Sequence, residues 1–303
     1  MLTIGSRGSE LALWQANWVR GVLEALGHEC RIEVIRTTGD KITDVPLAKV
    51  GAKGLFTKEI EEALLDGRID LAVHSLKDLP TELPAGLRIA AIPAREDARD
   101  ALVGARLDEL EPGSKVGTSS LRRAAQLRAA RPDLVIESVR GNLDTRLRKL
   151  DQGQYRAIVL ASAGLERLGW ASRIAERFPV EVMCPAVGQG ALAVETREEG
   201  EAAEVCAYLD AAGTRLAVEA ERAVLAGLGG GCQVPIGAHA RVTGDGLELL
   251  AVVASPDGSR VIVRSASGSA SDGKRIGHEL AGQLLAAGAR EILAAVYGEG
   301  SKA

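Results

Sequence analysis

The chain has 303 residues, of which 46% are hydrophobic and 26% are charged, and its formal net charge is −4 at pH 7. This composition is typical of a globular protein with two or three domains, and the negative charge argues against a chain-wide nucleic-acid-binding surface. The sequence has no apolar run of about 18 residues, so it predicts no membrane span. It also lacks the basic head and apolar run of a signal peptide.

The cysteines and histidines do not form a metal-binding pattern. The four cysteines are far apart and make no CxxC pair, and the four histidines are dispersed. We therefore expect no metal site and reduced thiols, as in a cytoplasmic protein.

The first two thirds of the sequence alternate strand-like and helix-like segments. Residues 2–5 begin a strand, a helical repeat over 11–26 ends at Gly27, and residues 32–37 are strand-like. A helix over 57–66, with Thr57 as its N-cap, precedes an apolar strand over 69–74. Strands over 115–117, 134–138 and 157–161 then alternate with helices over 119–131 and 142–150. This spacing predicts parallel, doubly wound α/β sheets.

The last ninety residues predict a different module. A helix over 214–225 is followed by strands over 236–242, 247–254 and 260–265, which the turn signals GDG and SPDG separate, and by a closing helix over 273–287. We expect an α+β domain with an antiparallel sheet. Residues 94–100 and 186–191 are typical of crossings between two α/β lobes.

Polar segments follow four of the predicted strands: SRGS at 6–9, HSLKD at 74–78, GTSSLRR at 117–123 and VRGNLDTRLRK at 139–149. The carboxyl ends of parallel strands face the ligand crevice, so these segments predict a cleft lined with cations and hydroxyls. Residues 115–149 alone contain nine basic and three acidic residues. Such a cleft suits a ligand with several carboxylates or phosphates. Each segment taken singly is also compatible with a solvated loop or cap, and we expect Arg128 and Arg131 to lie on a solvated face.

A single cysteine, Cys232, lies in the glycine-rich segment GGGCQVP at 229–235. A cysteine nucleophile normally needs a nearby base, and the nearest histidine in the sequence is His239. Cysteines are often buried, whereas a turn with three glycines usually lies at the surface. The residues alone leave both interpretations open.

Taken together, these segments resemble the porphobilinogen deaminase (hydroxymethylbilane synthase) family. The resemblance runs in family order over nearly the whole chain, through ALWQA, TTGDKI, PLAKVGAKGLFTKE, AVHSLKDLPT, VGTSSLRRAAQLR, RGNLDTRLRKLD, ASAGLERLG, PAVGQGAL and GGGCQVPIG. It implies two periplasmic-binding-protein-like lobes around a cleft, lobe 1 from 1–93 with 189–209 and lobe 2 from 98–186. It further implies a C-terminal α+β domain, 213–303, that anchors a cofactor.

The resemblance also implies the chemistry. Four porphobilinogen molecules would be added head to tail to a dipyrromethane cofactor, held by a thioether to Cys232, with loss of ammonia at each step and final release of hydroxymethylbilane. Asp78 matches the catalytic aspartate. The expected binders of cofactor carboxylates are Arg7, Ser9, Ser75, Lys77, Ser119, Ser120, Arg122, Arg123, Arg140 and Arg146. Candidates for contacts with substrate or for a mobile lid or hinge are Lys49, Lys53, Phe56, Arg167 and Gln189.

The family resemblance implies a monomer without nucleic-acid or membrane partners. The sequence departs from the family pattern at Gly229, where many members have Glu, and at Ala98, where many have Pro. The first departure could loosen the turn that bears the cofactor, and the second could soften the hinge.

Three alternatives explain part of these features. A two-lobed anion-binding protein without catalysis would use the basic strand ends but not Cys232 or Asp78. A nucleic-acid binder would use the basic stretch 115–149. The negative net charge of the chain and its few aromatic residues argue against this alternative. A cysteine-dependent acyl transferase would leave Cys232 free.

Overall fold

The structure is a computed structural model that describes residues 1–41, 55–230 and 234–300. In these ranges the strands form three separate sheets. The strands are β1 (Leu2–Ser6), β2 (Cys30–Val34), β3 (Leu71–Ser75), β4 (Leu87–Ala91), β5 (Asp100–Val103), β6 (Lys115–Gly117), β7 (Val135–Glu137), β8 (Ala157–Ala161), β9 (Ile174–Arg177), β10 (Leu192–Arg197), β11 (Ile236–Thr243), β12 (Gly246–Ala254) and β13 (Val261–Ser269).

The helices are α1 (Glu10–Ala25), α2 (Thr38–Lys41), α3 (Lys58–Leu65), α4 (Leu121–Ala130), α5 (Leu143–Asp151), α6 (Ser162–Arg167), α7 (Glu201–Cys206), α8 (Ala212–Gly227), α9 (Gly273–Leu284) and α10 (Arg290–Gly300). None of the helices in the described ranges is long and apolar enough to cross a membrane.

The first sheet, with the helices on its two faces, is called lobe 1 below. Its strand order is β2-β1-β3-β10-β4. Strand β1 runs parallel to β2 and β3, while β10 runs antiparallel to β3 and β4. Helices α1 and α7 bury apolar side chains against one face, and α3 does so against the other.

The second sheet and its helices form lobe 2, with the order β7-β6-β8-β5-β9. Here β6 runs parallel to β7 and β8, and β5 runs antiparallel to β8 and β9. The predicted pair of α/β lobes is confirmed. The sheets are parallel as predicted between the neighbouring strands of β1–β3 and β6–β8, but β5 and β10 run antiparallel to their neighbours. Both strands directly follow a segment that crosses between the lobes. A parallel connection needs a crossover, usually a helix, that carries the chain back to the end of the sheet where the previous strand began. The crossing segments before β5 and β10, both within the described ranges, contain no such helix.

The third unit consists of the antiparallel meander β11-β12-β13 with α8 and α9 packed on it. This confirms the predicted C-terminal antiparallel sheet with helices. The closing helical region is interrupted at Gly288, which has a φ of +102°, before α10 begins. Such a φ favours glycine, because other residues meet a steric penalty there.

Two basic residues of lobe 2 differ from their prediction as a solvated face. The Arg128 guanidinium donates a 2.6 Å hydrogen bond to the carbonyl of Pro256, in the turn between β12 and β13. Arg131 donates to the carbonyls of Leu107 and Leu110 and pairs with Asp133. These side chains therefore connect backbone segments, and Arg128 connects lobe 2 to the third unit.

The two crossing segments lie directly against each other between the lobes. The backbone amide of Glu96 donates to the carbonyl of Gly190, and the Gln189 side-chain amide donates to the carbonyl of Ala98 at 2.7 Å. Gly190 has a φ of +85°, and a Cβ there would lie 2.4 Å from the Glu96 carbonyl oxygen. Only glycine fits this crossing without displacing the backbone.

One buried ion pair joins all three units at this crossing. The Glu221 carboxylate on α8 is fully buried and accepts from Arg95 at 2.6 Å. It also accepts from the backbone amides of Gly188 and Ala240. The crossing segments, α8 and β11 are thus fixed to one carboxylate.

Candidate active site

Asp78 lies at the carboxyl end of β3, in a single 3-10 turn over Leu76–Asp78. The buried side chains of Leu76 and Leu79 flank it and hold the turn against the apolar interior of lobe 1. The Asp78 carboxyl is therefore presented at the edge of the sheet rather than in its core. It lines a small cavity of about 80 Å³, together with Arg7, Ser9, Gln15, Phe56 and Ser75.

The lobe 1 wall of this cavity is built from the loop after β1 and the start of α1. The Arg7 guanidinium lies 4.2 Å from the centre of the Phe56 ring and forms an ion pair with Asp40 at 2.5 Å. Ser9 caps α1 by accepting from the Ala12 amide. Ser75 accepts a 2.9 Å hydrogen bond from the Gln15 side chain. The structure thus brings four of the predicted residues, Arg7, Ser9, Phe56 and Ser75, together with Asp78.

The lobe 2 residues follow β6 and β7. The Ser119 hydroxyl donates to the carbonyl of Val139, and the Ser120 hydroxyl accepts from the amide of Arg123, at the start of α4. Arg146 on α5 donates to the carbonyl of Gly141, which keeps its guanidinium beside the loop that bears Arg140. The strand-end segments therefore meet on one side of lobe 2.

Arg122 and Arg123 are more deeply placed than the sequence predicts, with only 4% and 6% of their surfaces exposed. Both form ion pairs with Asp100, at 2.6 and 2.8 Å. Burial alone would raise the pKa of Asp100, but the two guanidinium groups outweigh it and hold that pKa well below its usual range. Asp100 keeps both arginines charged and in place, since a buried carboxylate so paired does not take up a proton.

Lys77 and Arg146 are cations that lack an ion-pair partner among the described residues. Burial lowers the pKa of Lys77 to about 8, and the charges of Arg123 and Arg122 contribute to the decrease. Burial likewise lowers the pKa of Arg146 to about 10, with Arg123 and Arg140 adding to it. Cations that repel one another across the cleft would be stabilised by a ligand with several carboxylates. The residues present therefore fit a polycarboxylate cofactor such as dipyrromethane.

Arg167 and Gln189 lie where the lobes meet. Arg167 donates to the carbonyl of Gly190 at 2.7 Å, and its guanidinium lies 5.9 Å from the Trp14 ring of lobe 1. The Gln189 side chain donates to the Asp100 carboxylate at 2.9 Å. Both residues contact the crossing segments, and neither is among the residues that line the cavity with Asp78.

Three of the predicted residues, Cys232, Lys49 and Lys53, lie outside the described residues. Before Cys232, Gly229 has a φ of +65°, and Gly230 packs closely against Leu225, Val234 and Ile236. The left-handed φ of Gly229 suits the glycine that replaces the family's Glu.

The sequence reasoning missed Asp100, Glu221 and Arg222. In the sequence Asp100 is one of several charges in the segment AREDARD, and nothing in that segment indicates that it pairs with two arginines. The pairing of Glu221 with Arg95 spans 126 residues of the chain, and that of Arg222 with Pro80 spans 142. No local pattern reveals such pairs.

Comparison with known proteins identifies the family. The model described as "Porphobilinogen deaminase, dipyromethane cofactor binding domain" matches residues 2–205, and "Porphobilinogen deaminase, C-terminal domain" matches residues 215–286. The chain belongs to the porphobilinogen deaminase family. It therefore contains the domain that binds the family's dipyrromethane cofactor.

Two relatives that bear the family's name support the same assignment. A porphobilinogen deaminase from Geobacter metallireducens is 52% identical over 98% of this chain and 95% of its own length. One from Nitratidesulfovibrio vulgaris is 54% identical over 99% and 98%, respectively. A solved periplasmic substrate-binding protein of an ABC transporter from Coxiella burnetii is 13% identical, covers 69% of this chain and 92% of its own, and has a TM-score of 0.43.

Proposed function

We propose that this porphobilinogen deaminase family member acts as a hydroxymethylbilane synthase. It would join four porphobilinogen molecules head to tail on a dipyrromethane primer that is bonded to Cys232. The observation that carries the proposal is the position of Asp78 in a chain of this family: it shares a cavity with Arg7, and its neighbour Lys77 lies within the electrostatic influence of Arg122 and Arg123 of lobe 2. The bound primer would supply a pyrrole carbon that attacks the substrate.

Asp78 is proposed as the catalytic residue. Loss of ammonia from porphobilinogen leaves a carbon that is effectively cationic. A carboxylate fixed at the cavity edge stabilises that charge as it develops, and can take up the ring proton that the attacking pyrrole loses when the new carbon–carbon bond has formed. The buried side chains of Leu76 and Leu79 hold the 3-10 turn in place and so fix the position of the Asp78 carboxylate.

The proposed role of the cationic residues is to hold carboxylates. Each porphobilinogen unit carries an acetate and a propionate, so the primer and the growing chain are polyanions. We assign this role to Arg7, Ser9, Ser75, Lys77, Ser119, Ser120, Arg140 and Arg146, and to Arg122 and Arg123 together with Asp100. Their pairing with Asp100 leaves these two arginines a net charge of +1 to offer to the cleft.

The remaining assignments concern movement and organisation. We propose Lys49, Lys53 and Phe56 as a lid over the cleft, Arg167 as a substrate contact and Gln189 as a hinge residue. The membership of the three sheets supports the domain division 1–93 with 189–209, 98–186 and 213–303. We further propose a monomeric cytoplasmic enzyme.

The primer and its anchor are tested by intact mass under denaturing conditions, followed by peptide mapping. We expect an adduct of dipyrrole size on the peptide that contains Cys232. If the chain is unmodified, incubation with porphobilinogen should produce that adduct. An unmodified Cys232 that remains open to alkylation after this incubation would instead favour an anion-binding protein or a thiol enzyme.

Substitution of the anchor provides the matched control. Cys232→Ser should carry no adduct and show no turnover. Cys206→Ser changes a buried thiol in the core of lobe 1 and should keep both the adduct and the turnover. If the adduct were lost in Cys206→Ser and kept in Cys232→Ser, the assignment of Cys232 as the anchor would be contradicted.

A further inference from the structure

Arg222 of α8 reaches from the third unit to the chain that immediately follows Asp78. One of its guanidinium nitrogens donates to the carbonyl of Pro80 at 2.6 Å and to that of Thr81 at 3.2 Å. The other lies 3.5 Å from the carbonyl of Leu79. Residues 79–81 belong to no helix or strand, so no ladder of backbone hydrogen bonds satisfies these carbonyls. A planar guanidinium can bind several neighbouring carbonyls at once, which a single ammonium cannot.

The same helix also packs an apolar side chain against the turn that carries Asp78. Val218, one turn before Arg222, is fully buried in the cluster that contains Leu76 and Leu79. These are the two leucines that flank the 3-10 turn. Helix α8 therefore contacts the Asp78 turn twice, through an apolar side chain under it and through a cation at its exit.

Helix α8 is itself held firmly in place. Glu221, next to Arg222, is tied to Arg95 and to two backbone amides at the crossing between the lobes. At the other end of the helix, Arg215 binds Asp210 and lies near the carbonyls of Ile89 and Ala90 in lobe 1. The helix is thus a rigid element whose side chains define distances between units.

Five residues after α8 ends at Gly227, the chain reaches Cys232. The element that supports the Asp78 turn therefore leads directly to the proposed anchor of the primer. We propose that Arg222 is a positioning residue, which fixes the Asp78 turn relative to α8, the helix that precedes Cys232 in the chain. This inference rests on the proposed roles of Asp78 and Cys232.

The test compares Arg222→Met with Arg215→Met in the primer-loaded enzyme. Both changes remove an arginine that connects α8 to lobe 1, but only Arg222 binds the chain next to Asp78. We expect Arg222→Met to lower kcat by about tenfold or more, since small displacements of a reacting group are costly, with KM changed less than about threefold. Arg215→Met should keep kcat within about twofold of the original enzyme, even if its melting temperature falls by as much as that of Arg222→Met.

Two further measurements make the outcome decisive. Intact mass should show the Cys232 adduct in both variants, so that loss of primer does not imitate loss of position. Arg222→Lys should recover part of the kcat, because an ammonium can bind one of the carbonyls. Equal losses of kcat in the two Met variants, or full turnover in Arg222→Met, would overturn the proposal.

Failure of the underlying roles is recognised separately. Asp78→Asn is assayed beside the arginine variants under the same conditions. Normal turnover in Asp78→Asn would overturn the proposed role of Asp78 and the inference with it. Loss of turnover in Asp78→Asn combined with normal turnover in Arg222→Met would overturn only the role of Arg222.

Discussion

Asp78 and Lys77 are adjacent in the sequence, and the turn at the end of β3 gives them different surroundings. Asp78 faces a cavity lined by hydroxyls, an amide and Arg7. The pKa of Lys77 responds to burial first, then to the charge of Asp78, and then to Arg123, Asp100 and Arg122 of lobe 2. One residue thus belongs to the lobe 1 wall, whereas the other responds to both lobes.

Replacing Asp78 with Asn keeps the shape of the side chain and removes its charge. We expect kcat to fall by about 100-fold or more, because an amide does not stabilise a developing cation. The circular dichroism spectrum and the melting temperature should stay close to those of the original enzyme. Asp66→Asn, at the exposed end of α3, is a control that should leave kcat unchanged. Near-normal turnover in Asp78→Asn would contradict the assigned role.

The lowered pKa of Lys77 predicts a pH dependence of substrate capture. As pH rises through about 8, Lys77 loses its proton and no longer attracts carboxylates, so kcat/KM should fall. In Lys77→Arg the charge persists, because an arginine does not deprotonate in this range. We expect the fall in kcat/KM at pH 9 relative to pH 7 to reach about tenfold in the original enzyme and to be absent in Lys77→Arg. Parallel profiles for the two proteins would show that Lys77 does not control capture.

At the residue scale, the sequence predicts which side chains come to the cleft better than it predicts their partners. Arg7 follows β1 and Ser75 is the last residue of β3; because the ends of these neighbouring strands meet in space, their proximity could be expected. The burial of Arg123 could not, because its partner Asp100 enters lobe 2 on a reversed strand. In the sequence, a basic residue that will be exposed cannot be distinguished from one that will be buried against a distant carboxylate.

At the element scale, the turn between β12 and β13 serves as a contact between units. Gly258 has a φ of +78°, and a Cβ there would lie 2.7 Å from the Ala129 amide nitrogen and from Arg128 Cβ. The turn between β11 and β12 contains Gly244, with a φ of +58° and no atom within 4 Å of the same position. Both glycines have a positive φ, but only Gly258 is packed against a neighbouring element, helix α4.

This difference predicts unequal costs of substitution. Gly244→Ala should lower the free energy of unfolding by about 1 kcal/mol, the penalty of a left-handed alanine. Gly258→Ala should lower it by about 2–4 kcal/mol, because the added methyl group also displaces α4. Urea unfolding followed by tryptophan fluorescence measures both. Equal losses would mean that the turn does not press on α4.

The elements with strong local periodicity, such as α1, α8, β8 and the meander, agree with the sequence within a few residues. Strands β4, β5, β9 and β10 are missing from the prediction. They are four to six residues long, and β5 and β10 follow crossing segments rather than helices. Their pairing is decided by distant strands, and hydrophobic periodicity carries no information about that choice.

At the scale of the whole molecule, the Glu221 carboxylate holds the crossing segments, α8 and β11 together. Breaking a buried ion pair by changing one partner leaves an uncompensated charge. Glu221→Gln should therefore lower the free energy of unfolding by about 3 kcal/mol. Glu219→Gln, two residues earlier and partly exposed beside Lys274, should lower it by less than about 1 kcal/mol. Similar losses for the two variants would show that the junction does not depend on Glu221.

The position of β10 has a consequence for folding during synthesis on the ribosome. This strand lies between β3 and β4 in the sheet of lobe 1 but comes from residues 192–197, after all strands of lobe 2. A nascent chain that has emerged through residue 91 holds four strands of that sheet and leaves a gap between two of them. Lobe 2 can close its own sheet once β9 has emerged. The lobe made first is therefore completed second. A stalled ribosome whose nascent chain has emerged to a point between residues 177 and 192 would carry a closed lobe 2 attached to an open lobe 1.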